Sequence, residues 1–300
     1  MKSCSASASR CEVAICGILS HISNHNEDLH MKKSALLMVA AICSVCGAWA
    51  AGIADWKGKK VAFLGDSITD PAQTNRNAVY WQYLQRDVGI EPHVYAVSGY
   101  QWDRIYPMSQ KMQKEMGSSV DAILILLGTN DYNAGIPLGE WYDEVEEDVN
   151  RRGNTICSIR RIRRKNMGTF RGRINTVMEY LKTSFPDQQI VLMTPLHRGY
   201  ANFGGSNVQP EESFPNHLGN YVEEYVEAIR EAADIWSVPL IDLYRESGLL
   251  PANASYAKFF RDGGLQGKDS LHPDSAGHRR MAKVIAAKLA ALPPDFKDCK

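Results

Sequence analysis

Asp121-Ala122-Ile123-Leu124-Ile125-Leu126-Leu127 is apolar at every position after the first and is closed by Gly128. A run this short reads as a strand, and a strand apolar on both faces must be covered on both. Parallel sheets have that property, because the crossovers between parallel strands lay helices over the sheet. Working outward, compact apolar runs recur at residues 61–64, ending at Gly65, and at 93–97, 190–193 and 239–243. Between them lie helical stretches at residues 77–87, 103–116, 170–185 and 218–236, and a last one at 275–292. In the third of these Ile174, Val177, Met178 and Leu181 fall at spacings of three and four, and Pro186 marks its end. The expected fold is α/β, a three-layer α/β/α sandwich on a parallel five-stranded sheet. In such sheets the ligand lies beyond the carboxyl ends of the strands, so residues 65–69, 98–102 and 128–132 are expected to meet in one crevice.

The chain has 300 residues, 44% of them hydrophobic, enough to bury one substantial core. No Pro/Gly/Ser-rich linker or internal repeat divides residues 51–300, so they read as a single domain. From Met31 the sequence has the form of a signal peptide. Lys32 and Lys33 precede an apolar stretch, and Ala48-Trp49-Ala50 supplies a small-x-small cleavage pattern. Residues 31–50 are thus expected to be removed on export, to a secreted or periplasmic destination, and residues 1–30 to be an over-extended start. The apolar stretch falls short of the run of about 20 residues that spans a bilayer, and no later segment approaches it. Net charge is zero, without the basic excess of a nucleic-acid-binding face.

Three short segments carry chemistry. In Gly65-Asp66-Ser67-Ile68-Thr69 the serine follows a strand-ending glycine, where its hydroxyl is exposed and its N–H unused; a plain helix cap reads the same way. Serine needs a general base, and Asp269-Ser270-Leu271-His272-Pro273-Asp274 offers an imidazole on a turn stiffened by proline. Asp269 suits the other ring nitrogen, with Asp274 as the competing carboxylate. Gly128-Thr129-Asn130-Asp131 ends the strongest strand. The Asn130 amide there is either a donor to a developing oxyanion or the closure of an Asx turn. Gly99, after the second strand, could bring its N–H close to a substrate oxygen.

In this order the blocks Gly65-Asp66-Ser67, Gly99, Gly128-x-Asn130-Asp131 and Asp269-x-x-His272 resemble those of the SGNH (GDSL-like) hydrolases, a lipase/acylhydrolase family. The resemblance covers residues 58–292. It implies a flavodoxin-like sheet and a catalytic triad of Ser67, Asp269 and His272. It also implies an oxyanion hole from the Ser67 and Gly99 N–H groups with the Asn130 amide, and neither metal nor cofactor. Two departures stand out: Ile68 replaces the leucine usual after the serine, and Ser98 stands where asparagine often precedes the glycine.

The expected activity is hydrolysis of a carboxylic ester with a short acyl group such as acetyl, on a small molecule or a glycan. Acyl transfer to a sugar hydroxyl by the same residues, or a non-catalytic carbohydrate-binding module, are the alternatives. Asp66, Asp131, His197, Arg198 and Tyr200 are candidate substrate contacts, with Phe203 in the same loop. His197 could compete as base, although no carboxylate lies at close spacing to orient it. Residues 140–148 hold six acids, and residues 151–173 hold nine bases and no acid. A hairpin-like insertion at residues 140–168 with facing charges is one reading, and a basic rim recruiting an anionic substrate the other.

Overall fold

Alternate side chains of β3 (Ala122–Leu126) enter different helical layers, which is why no polar residue is tolerated along it. Ile123 and Ile125 pack against Ile105 of α2 (Trp102–Met116), Ile174 and Val177 of α4 (Phe170–Ser184), and Ile229 of α5 (Val222–Trp236). Ala122, Leu124 and Leu126 face Tyr80 and Leu84 of α1 (Tyr80–Val88) and Met281 and Ile285 of α7 (Ser275–Leu289). Burying each large apolar side chain in this way contributes about 1.5–3 kcal/mol. A single sheet with a covered face on each side is the result.

The computed structural model describes residues 52–262 and 268–299; the expectations for residues 1–50 lie outside them. The sheet runs β2-β1-β3-β6-β9, all parallel, with β1 Lys60–Gly65, β2 Glu91–Ala96, β6 Gln189–Met193 and β9 Leu240–Ile241; β7 (Ala201–Asn202) and β8 (Val208–Gln209) form a separate pair, and the one-turn α6 (Leu243–Glu246) follows β9. Its ends are level. Gly65 is paired with both Ala96 and Leu126, Leu126 with Met193, and Met193 with Ile241, so the loops after β1, β2 and β3 leave the sheet at one height.

The sequence placed five strands and the principal helices correctly, but several bounds differ. The fifth strand is only two residues long, because its pairing with β6 covers Leu240 and Ile241 alone. The helix expected from residue 218 begins at Val222, after a turn closed by Gly219 at φ +85°. A one-turn helix, α3 (Thr129–Asn133), follows β3 where only a loop was foreseen. The charge-segregated insertion is a hairpin, β4 (Tyr142–Arg151) and β5 (Asn154–Arg163), turned at Arg152-Gly153, both of which have positive φ (54° and 84°). Glu144 stands directly opposite Arg161, and Glu147 and Asp143 pair with Arg160 and Arg164 at 2.7 and 2.5 Å. Cys157 and Cys299 are exposed free thiols. Among the described residues no helix is long and apolar enough to cross a membrane.

Candidate active site

Gly65 ends β1 because the chain turns back on itself there: a Cβ at this position would lie 2.5 Å from the Thr69 hydroxyl. The turn is fixed by Asp66, whose Oδ1 accepts the Ile68 N–H at 3.0 Å. It lifts Ser67 to the carboxyl edge of the sheet. At the far end of the domain, Asp269 Oδ1 accepts the backbone N–H groups of Leu271 and His272, and Pro273 carries the chain into α7. Backbone bonds Ser270 N–H to Tyr200 C=O and Arg261 N–H to His272 C=O hold this turn against two neighbouring segments.

The two stretches meet. His272 Nε2 lies 2.8 Å from Ser67 Oγ, and His272 Nδ1 lies 2.9 Å from Asp269 Oδ2 and 3.0 Å from Oδ1. All three residues are buried apart from a small exposed rim. Burial alone would raise the Asp269 carboxyl, but the hydrogen bond and charge of His272, with Arg261 behind, hold it below its ordinary value. An ionised carboxylate can only accept, so Nδ1 carries the ring proton and Nε2 is left to accept from Ser67. Asp274 is otherwise engaged, capping α7 through the Gly277 N–H at 2.8 Å.

Ser67, Gly99, Asn130 and His272 line one cleft of about 300 Å3, together with Ser98, Gln73, Arg76, Phe203 and Arg261 among others. Gly99 has φ +84°, and a Cβ there would meet open space, so backbone conformation rather than crowding requires glycine. Among the described residues no acceptor takes the N–H of Ser67 or Gly99. The Asn130 amide nitrogen donates to the Tyr100 carbonyl at 3.0 Å and stands 3.5 Å from Asp66 Oδ2. Its second hydrogen is thus held only by the longer bond to Asp66, beside the cleft that Asn130 lines. The sequence pattern of GDSL-like lipase/acylhydrolases matches residues 63–280, a span that opens just before Ser67 and closes just after His272.

The chain belongs to the GDSL-like lipase/acylhydrolase family. As a GDSL-like hydrolase it is similar in structure to a Lactobacillus plantarum protein, at 26% identity and a TM-score of 0.58 over 78% of this chain and 98% of that one. A possible lipase from Chitinophaga pinensis DSM 2588 shares the fold at 18% identity and a TM-score of 0.59, over 77% and 98%. No curated protein matches.

Five residues expected at the substrate of this GDSL-like hydrolase are elsewhere. Asp66 is buried beneath the nucleophile turn, and Asp131 is buried in an ion pair with Arg173 at 2.8 Å. Arg198 is buried too, donating to the Thr129 carbonyl and to Gln209 Oε1. Tyr200 lies in a separate groove with Gly199 and Pro251. His197 does have a carboxylate, Glu212 at 2.7 Å, fifteen positions away and brought in by the loop, but its ring rests on Tyr244 away from the cleft. The basic-rim reading is likewise corrected. No residue of 151–173 lines the cleft, Arg171 and Arg173 being bound to Glu231 and Asp131.

Sequence reasoning missed Asp70. Its Oδ1 accepts the Ala72 N–H while its Oδ2 accepts both the N–H and the hydroxyl of Ser98, at 2.8 and 2.7 Å, so one carboxylate ties the nucleophile turn to the Gly99 loop. The signal was present in Asp70-Pro71, a capping residue followed by proline.

Burial pushes the Asp66 carboxyl up to about 7, against the pull of the Ile68 N–H. The folded chain therefore holds this proton more tightly than the unfolded chain does, and stability falls as pH rises from about 4 to about 7. Asp66→Asn keeps an acceptor for Ile68 and cannot ionise. Its melting temperature relative to the native protein is expected to be nearly unchanged at pH 4 and to rise steadily in its favour towards pH 7. A difference that shrinks over that interval would mean the charged form is the stabilised one. His278, held down at about 3 by burial and then by Arg261 and His272, has the opposite sign but is common to both proteins.

Proposed function

We propose that this chain is an exported serine esterase that cleaves short-chain carboxylic esters, such as acetyl esters of carbohydrates, through an acyl-serine intermediate. One observation carries the reading: a hydroxyl at 2.8 Å from an imidazole nitrogen whose other nitrogen is held by an ionised carboxylate, at the floor of an open cleft. In this scheme Ser67 Oγ attacks the acyl carbon as His272 Nε2 takes its proton. Charge on the carbonyl oxygen is received by the unused N–H groups of Ser67 and Gly99 and by the Asn130 amide. Protonated His272 then gives its proton to the departing alcohol oxygen. A water molecule, deprotonated by the same nitrogen, releases the acid and restores the serine.

The cleft lining supports a small acyl group. Phe203 and Leu271 are its large apolar members, and the rest is serine, asparagine, glutamine and arginine with Gly99 and His272. A long alkyl chain gains roughly 0.8 kcal/mol per methylene only where apolar surface receives it. The signal-like segment from Met31 supports export.

Fluorophosphonate labelling of Ser67 tests the nucleophile, and a comparison of p-nitrophenyl acetate with the decanoate tests the acyl preference. Expected results are a covalent adduct on Ser67 and a higher kcat/KM for the acetate. Faster turnover of the decanoate would overturn the short-chain assignment, and an unlabelled Ser67 the esterase.

A further inference from the structure

Two arginines that belong to none of the family's motif blocks face the reacting groups. Arg76, from the loop after the short helix Pro71–Asn75, and Arg261, whose backbone N–H donates to the His272 carbonyl, both line the cleft with Ser67. Among the described residues neither forms an ion pair, and no carboxylate lines the cleft. Arg261 is half-buried. Its Nε lies 3.1 Å from the Asn77 side-chain amide, while its Nη2 is buried without an acceptor among the described residues.

Two like charges side by side repel. Burial lowers the Arg261 guanidinium from its ordinary value; the charge of Asp269 acts against that, and the nearby Arg76 charge adds a smaller lowering. Buried cations are ordinarily paired, and other arginines here are: Arg173 with Asp131, Arg171 with Glu231, Arg230 with Asp242. Half-buried Arg261 and exposed Arg76 have no such ion pair among the described residues, and their planar forks suit the two oxygens of a carboxylate.

We infer that Arg76 and Arg261 form a carboxylate-binding subsite, so that the preferred substrate is an ester carried on an acidic molecule, such as a uronate-bearing glycan. The inference rests on the esterase reading above and adds the charge of the substrate to it. The anion would neutralise both guanidiniums at once. It would also fix the ester over Ser67, so its gain is expected in kcat/KM for acidic esters alone.

Matched probes separate this from a structural role: 3- and 4-acetoxybenzoate against their methyl esters, measured with p-nitrophenyl acetate as a reference. The quantity read is the ratio of kcat/KM for the acidic ester to that for its neutral partner. That ratio is expected to fall at least tenfold in the R76Q/R261Q double variant, to be partly restored in R76K/R261K, and to decline with added sodium chloride in the native protein. A ratio unchanged within twofold in the glutamine variant overturns the subsite, as does an equal slowing of both esters. Failure to hydrolyse even p-nitrophenyl acetate overturns the esterase reading and the subsite with it; hydrolysis of that ester with an unmoved ratio overturns the subsite alone.

Discussion

Replacing Ser67 with alanine is expected to lower kcat for p-nitrophenyl acetate by roughly 10^4-fold to 10^6-fold while leaving the fold in place. The size follows from what is removed. His272 has no other hydroxyl within the hydrogen bonds it makes, since its Nδ1 is held by Asp269 and its Nε2 faces Ser67 alone. Without the nucleophile, water would have to attack unaided in a cleft that still binds the ester and still offers the Gly99 and Asn130 donors. The stability cost should be small. Ser67 contributes one side-chain hydrogen bond, worth about 0.5–1.5 kcal/mol net, and the Asp66 turn beneath it is untouched. Steady-state kinetics with a melting curve on the same sample check both parts. Retention of a tenth of the native rate with an intact fold would move the reaction to another group.

The second large effect is on stability. Arg173→Met is expected to cost about 3–5 kcal/mol, read as a lower urea midpoint at unchanged slope. Asp131 is fully buried and accepts Arg173 Nη1 at 2.8 Å and the Trp102 N–H at 3.2 Å. The same guanidinium donates to the Met167 carbonyl and to Gln101 Oε1, both at 2.8 Å. Methionine fills the volume but leaves a carboxyl without its cation and two acceptors without donors. Burial already pushes Asp131 up to about 7 against the pull of Arg173, so the orphaned group takes up a proton at neutral pH and the loss stays within that range. Asp131→Asn in the same chain removes the acid and should recover part of the stability. A loss below about 1 kcal/mol would mean that water reaches the pair.

These two sites show what the sequence could and could not say. The meeting of Ser67, His272 and Asp269 was legible because each sits in a local pattern that constrains it: Gly65 before Ser67, and Asp269 three residues ahead of His272 with Pro273 behind. Strand runs were legible because both faces of β3 are covered. Asp131, Arg198 and Tyr200 were misassigned because proximity in sequence to a catalytic motif does not decide which way a side chain points, and the first two point into the protein. Arg76 and Arg261 left no signal, since each stands in a loop without periodicity and their meeting depends on how two distant segments fold together. Glu212 reached His197 in the same way, across a fifteen-residue loop.

The double grip of Asp70 has a consequence for how this catalyst can change. The Ser67 turn and the Gly99 loop are anchored to one carboxylate, so their mutual alignment is settled when the chain folds. Variation confined to the stretch around Ser98 therefore cannot reshape the acyl wall independently; any shift in it is transmitted to the attacking oxygen. Phe203 and Asn207, which also line the cleft, stand on a segment that Asp70 does not hold but that is bonded to the Asp269 turn, so a shift there is transmitted to the imidazole instead.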